Sequence, residues 1–155
     1  MAMKLKRIVL LIAVCLQALS LAAAPRIIRP GVKSATTFAI FIDSRSYDAA
    51  AAEVDAYRAA VERDGLGTYL LIDTWQNPES VRSEIVRMTE ARPPLEGVVF
   101  IGDIPVAMIR DAQHLTSAFK SSQDRDWKDS SVPSDRYYDD PELQFEFIRR
   151  DADEP

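Results

Sequence analysis

Apolar residues fall in three short continuous runs, separated by two longer stretches in which they recur every three or four positions. The runs are Thr36–Ile42 (TTFAIFI), Gly67–Asp73 with Tyr69–Ile72 as its apolar heart, and Leu95–Asp103 (LEGVVFIGD). Runs that are continuous rather than alternating suit strands covered on both faces. The first intervening stretch, Asp48–Asp64, predicts a helix with Ala50, Val54, Tyr57 and Val61 on one stripe. Ser44–Tyr47 offers oxygens to cap it, and Gly65 lets the chain leave it with positive φ. The second helix is expected to be capped by Asn77, to open on Pro78, to bury Val81, Ile85 and Met88, and to close at Arg92 before Pro93-Pro94. Two crossovers of this length join parallel strands. The pattern therefore gives an α/β class: a three-layer sandwich fragment with a mostly parallel sheet, centred on Leu95–Asp103. Three strands and two helices make a thin domain, so further chain is expected to complete its cover.

Beyond Asp103 the character changes. Ile104–Ile109 is apolar but interrupted by Pro105, and is expected to cross the sheet edge. Asp111–Phe119 suggests a short helical turn, and Lys120–Ser131 a long polar loop. Val132–Asp140 (VPSDRYYDD) reads as a turn followed by an aromatic-acidic cluster. Leu143, Phe145 and Phe147 alternate with Gln144 and Glu146, as in a strand with one wet face. Pro25–Ser34 reads as an extended linker or a first edge. The expected organisation is a targeting segment over 1–24, a linker over 25–35, an incomplete α/β domain over 36–151 and a frayed tail over 152–155.

Charge changes the picture by exclusion. The chain carries a formal net charge of −5, and Lys4, Lys6 and Arg7 are its only charged residues before Arg26. Without them it is more acidic still, and an acidic domain has no electrostatic reason to bind nucleic acid or anionic lipid. These three cations, the apolar Ile8–Leu16 and the small residues before Pro25 form a signal-peptide pattern. The expected location is secreted, periplasmic or cell-surface, with no transmembrane segment after cleavage. Cys15, the only cysteine, leaves lipidation as a minor alternative, although Val14 stands where a small residue would. If the signal is removed, the remainder has no thiol for a disulfide, a nucleophile or a metal cluster.

Asp43, Asp73 and Asp103 fall at the carboxyl ends of the three runs, where open parallel sheets bind ligands. They are either a polar rim or ordinary capping and loop residues. His114, the sole histidine, could face Asp111, with Asp103, Asp135, Asp139 or Asp140 as oxygen donors. A lone surface or packing histidine is the plainer reading. No cofactor is implied. Structural calcium is compatible with secretion, but the spacing lacks the EF-hand pattern. No phosphate loop occurs, and no serine stands in a nucleophile elbow. Asp135, Arg136, Tyr137, Tyr138 and Asp139 form the densest recognition-like cluster, in which a carboxylate beside rings could take a basic side chain. Alternatively Arg136 pairs with a neighbouring acid and one tyrosine enters the core.

At VVFIGD (Val98–Asp103) and PSDRYYDD (Pro133–Asp140) the chain resembles the amino-terminal part of gingipain-like cysteine peptidases of the caspase-like clan. The likeness runs over roughly Thr36–Asp151 in the order and spacing of its motifs. It implies a caspase-like fold and a peptidase whose catalytic histidine and cysteine lie on later strands, so that this chain is truncated before both. Neither His114 nor Cys15 matches those positions. In arginine-specific members an aspartate in the segment like SDRYY helps form the pocket for a basic side chain, and Asp135 is the matching residue. The resemblance thus implies substrate recognition by Asp135, no catalytic residue in this chain, and a partner in the missing carboxy-terminal half or a polypeptide ligand. Tyr138, from the aromatic-acidic cluster, and Asp103, from the strand-end rim, are the further recognition candidates. The residues alone leave two other readings: a non-enzymatic surface or periplasmic binding module, and a metal-dependent hydrolase using Asp103, Asp111, His114 or Asp135.

Overall fold

A computed structural model describes residues 24–110 and 131–150. In chain order they form β1 (Arg26–Ile28), β2 (Thr37–Asp43), α1 (Ser44–Arg63), β3 (Gly67–Asp73), α2 (Pro78–Thr89), β4 (Leu95–Ile101), β5 (Met108–Arg110), β6 (Ser131–Pro133) and the single turn α3 (Arg136–Asp139). The main sheet has the order β1-β3-β2-β4. β2 is parallel to both β3 and β4, whereas β1 runs antiparallel along β3. The architecture is a mixed sheet with flanking helices.

The organising strand is β2, not β4. Ala39, Ile40, Phe41 and Ile42 are all fully buried, because β2 has a strand on each side and side-chain cover on each face. β4 is parallel as expected, but it is the last strand of the order, and six of its seven residues are only partly buried. A continuous apolar run reports the need for cover on two faces; it does not report how many neighbours the strand has.

Alternation along β2 divides the core. Ile40 and Ile42 pack with Leu70, Ile72, Tyr47 and Val54 on the α1 side. Ala39 and Phe41 pack with Leu71, Val81, Ile85 and Met88 on the α2 side. In α1 the buried stripe runs through Tyr47 and Val54, while Tyr57, expected on it, is 43% exposed. The helix starts at Ser44, earlier than expected, and Ala50 is non-helical (φ −137°, ψ 31°), so the two parts of α1 meet at a kink. The stripe of α2 is as expected, with Asn77 Oδ1 accepting from the Ser80 amide at 2.8 Å. Gly65 has φ 99°, as its place after the helix requires.

Trp75, at the turn after β3, is drawn inward. Its Nε1–H donates to Ile42 O at 3.1 Å, and its ring lies 5.3 Å from Phe41. From there an aromatic series crosses the α2 side of the sheet: Phe41 to Phe100 (5.8 Å), Phe100 to Tyr138 (5.0 Å), Tyr138 to Tyr137 (5.3 Å) and Tyr137 to Phe145 (4.9 Å). Edge-on pairs of this kind each add about 0.5–1.5 kcal/mol beyond burial. They tie the segment after β6 to the central strand. Residues 141–150 lie in no strand, contrary to the alternation of Leu143, Phe145 and Phe147. No helix among the described residues is long and apolar enough to cross a membrane.

Candidate functional site

Two carboxylates at the β2 and β4 ends behave in opposite ways. Asp43 closes β2 in an extended conformation (φ −72°, ψ 150°), which swings its side chain over the first amides of α1. Oδ1 accepts from the Arg45 and Ser46 amides at 3.1 Å each, and Oδ2 accepts from the Asp103 amide at 2.8 Å. Burial pushes the carboxyl upward in pKa, but hydrogen bonds from the Ser46 hydroxyl and from the Asp103, Ser46 and Arg45 amides outweigh it. The net shift is downward. Gly102 makes this possible. It has φ +80°, and a Cβ there would run into Asp43 Oδ2 and Ser46 Oγ. Asp43 is therefore a bolt between the ends of β2 and β4.

Asp103 offers its carboxylate to solvent, 77% exposed, and to Arg45 Nη2 at 2.9 Å. Asp73 accepts from the Thr74 amide at 2.8 Å. The three strand-end aspartates therefore divide: Asp43 and Asp73 serve caps and loops, and Asp103 lies on the exposed rim.

The second carboxylate region is the turn after β6. Ser134 N–H donates to Ala107 O at 3.0 Å, and the Tyr138 hydroxyl donates to Pro105 O at 2.6 Å. These bonds hold the turn against the strand exit that follows Asp103. Tyr138 is 5% exposed. Burial first, then the nearby Tyr137, Glu79 and Asp135, push its phenol well above the ordinary value. Its part in recognition can only be to hold the turn. Tyr137 is raised as well, mainly by burial.

Arg136 pairs with Asp140 at 2.9 Å and with Asp139 at 3.7 Å. Asp135 is exposed, has a helical backbone (φ −69°, ψ −15°) and makes no cap bond with its side chain. Among the described residues its carboxylate forms no hydrogen bond or ion pair. Asp135, Tyr138 and Asp139 thus share one turn, with the Tyr138 hydroxyl bonded two residues down the chain from Asp103. Asp111 and His114 lie outside the described residues. Among the described residues no three His, Cys, Asp or Glu side chains gather as a metal cluster.

Sequence reasoning missed Arg82. From α2 its Nε donates to Tyr137 O at 2.8 Å, and Nη2 reaches Asp140 O (3.1 Å), Pro141 O (3.3 Å) and Leu143 O (2.8 Å). The guanidinium carbon sits 5.3 Å from both the Tyr137 and the Phe145 ring centres. The available signal was an arginine beside the apolar Val81, on the flank of the buried stripe. A groove of about 410 Å³ runs along α2 past Glu79, Arg82, Glu90 and Tyr137. Its charges are mixed, and the Arg82 guanidinium is already occupied.

Neither a protein-family model, nor a curated protein, nor a solved structure matches the chain.

Proposed function

We propose that the chain is the amino-terminal portion of a secreted gingipain-like cysteine peptidase, with a caspase-like sheet, and that it supplies recognition of a basic side chain. The attacking thiolate and its histidine would come from outside this chain. The observation that carries the recognition role is the Asp135 carboxylate, exposed and without a partner among the described residues, on a turn bonded to Pro105 and Ala107. A carboxylate on a backbone already held in place loses little further freedom when it pairs with a guanidinium. Among the described residues β4 has no strand on its outer side, which supports the larger reading. This strand has seven residues, is largely apolar and contains no lysine or proline to discourage pairing; its register against β2 shifts only near its start, at Glu96.

A second reading, a non-enzymatic surface or periplasmic binding module, draws on the same Asp135 turn and needs no strand at the β4 edge. A third, the metal-dependent hydrolase, has no gathered ligand set among the described residues to support it.

The recognition role is tested by calorimetric titration of the protein with Nα-acetyl-arginine amide, alongside Asp135→Asn. One-to-one binding that disappears in the variant supports it. Heat that is absent, or equal in both proteins, overturns it. Peptidase ancestry is tested by the reading frame after the Pro155 codon. Further strands with a His-Gly and a cysteine after an apolar strand support it, and an unrelated sequence favours the binding module.

A further inference from the structure

The turn bearing Asp135 is short, and a four-residue helical turn has no stability of its own. Something must fix its orientation. Tyr138 fixes one side, through Phe100 and Pro105 O. On the other side Tyr137 packs against the core cluster that includes Val81 and Ile85 of α2, and the hydrogen bonds that reach residues 137–143 from α2 come from Arg82. We propose that Arg82 is the positioning residue for the Asp135 turn, holding residues 137–143 in one arrangement so that the carboxylate is presented preformed.

The chemistry is specific to a guanidinium. Four carbonyl oxygens, from Tyr137, Asp140, Pro141 and Leu143, converge on its Nε and Nη2 at 2.8–3.3 Å. Carbonyls at and beyond the end of a helical turn need donors, and here one planar cation serves Tyr137 O in α3 and three carbonyls that follow it. Its carbon lies over both the Tyr137 and the Phe145 ring, which are themselves in edge contact, a delocalised planar contact that an ammonium on a flexible stem does not reproduce. Arg82 stands on the residue next to Val81, which is fully buried. The clamp is therefore mounted on the rigid core and not on a loop. Charge alone does not explain the arrangement, because three of the four acceptors belong to residues without an acidic side chain.

This inference rests on the reading of Asp135 as a recognition residue, so the experiment separates the two. Amide hydrogen exchange and calorimetry with Nα-acetyl-arginine amide are run on the protein, on Arg82→Lys and on Phe145→Leu, which removes one stacking ring and leaves α2 untouched. In Arg82→Lys, exchange of the 137–143 amides should accelerate at least about tenfold, with the β2 amides unchanged. Affinity for the arginine amide should fall by roughly tenfold, and its preference over Nα-acetyl-lysine amide should narrow. Phe145→Leu should give the same pattern at smaller size. Unchanged exchange at 137–143, acceleration that extends equally to β2, or faster local exchange with unaltered affinity and preference would each overturn the proposal. If the unaltered protein does not bind the amide, the recognition reading falls, and the exchange data alone decide whether Arg82 holds the turn.

Discussion

Asp43 and Asp135 both precede helical segments, and the fold uses them differently. Asp43 is extended, so its carboxylate reaches back over the α1 amides and across to the Asp103 amide. Asp135 is already helical, so its side chain cannot fold over its own turn and makes no cap bond. Position before a helix therefore does not make a cap; the backbone conformation at that position does. One carboxylate is consumed by the fold, and the other is left for something else.

The comparison can be broken in several ways, most severely at Asp43. Asp43→Ala removes a buried carboxylate and leaves three part-buried amides without their acceptor, and should cost about 2 kcal/mol in urea unfolding. Asp135→Ala should stay within about 0.5 kcal/mol. Equal losses would show that both residues serve the fold. Gly102→Ala comes next. It forces a side chain into positive φ and against Asp43 Oδ2, and should cost more than about 1 kcal/mol.

Acid sharpens the contrast. Because the folded Asp43 carboxyl is depressed, its contribution is complete above the ordinary value of 3.8 and is lost as pH falls through the lower folded value. Urea unfolding measured across that window should show an acid limb that is reduced in Asp43→Asn and retained in Asp135→Asn. Tyr138→Phe removes the bond to Pro105 O and should cost about 1 kcal/mol. Its raised phenol has the opposite sign. The stabilisation is present below the ordinary value of 10.0 and is lost as pH rises through the folded value. Smallest of all should be Asp103→Asn, within about 0.5 kcal/mol. Its ion pair with Arg45 is exposed, and the main-chain bond to Asp43 survives.

The three strands, the two helices and the start of α2 were legible because each is encoded locally: continuous apolar runs, a three-to-four stripe, Asn77-Pro78 and Gly65. But Ser44–Tyr47, expected to cap α1, lie inside it with Asp43 as the cap, and α2 ends at Thr89 rather than Arg92. What failed was long-range. Nothing in Leu95–Ile101 says that among the described residues it has only one strand neighbour, and nothing in Arg26–Ile28 says that it will run antiparallel along β3. The alternation over 143–147 suggested a strand, but Leu143 and Phe145 are held by Arg82 and Tyr137 without a ladder. The cluster over 135–139 was legible as a cluster, and Tyr138 as a residue that could enter the core. Arg82 was not legible, because its acceptors lie more than fifty residues away in the chain.

The most direct measurement is the carboxyl ¹³C spectrum of the aspartates, with and without Nα-acetyl-arginine amide, assigned with Asp43→Asn and Asp135→Asn. The account predicts that the ligand moves the Asp135 resonance and leaves Asp43 in place. A ligand that moves Asp43, or leaves Asp135 unmoved, would contradict the division of labour between the two carboxylates.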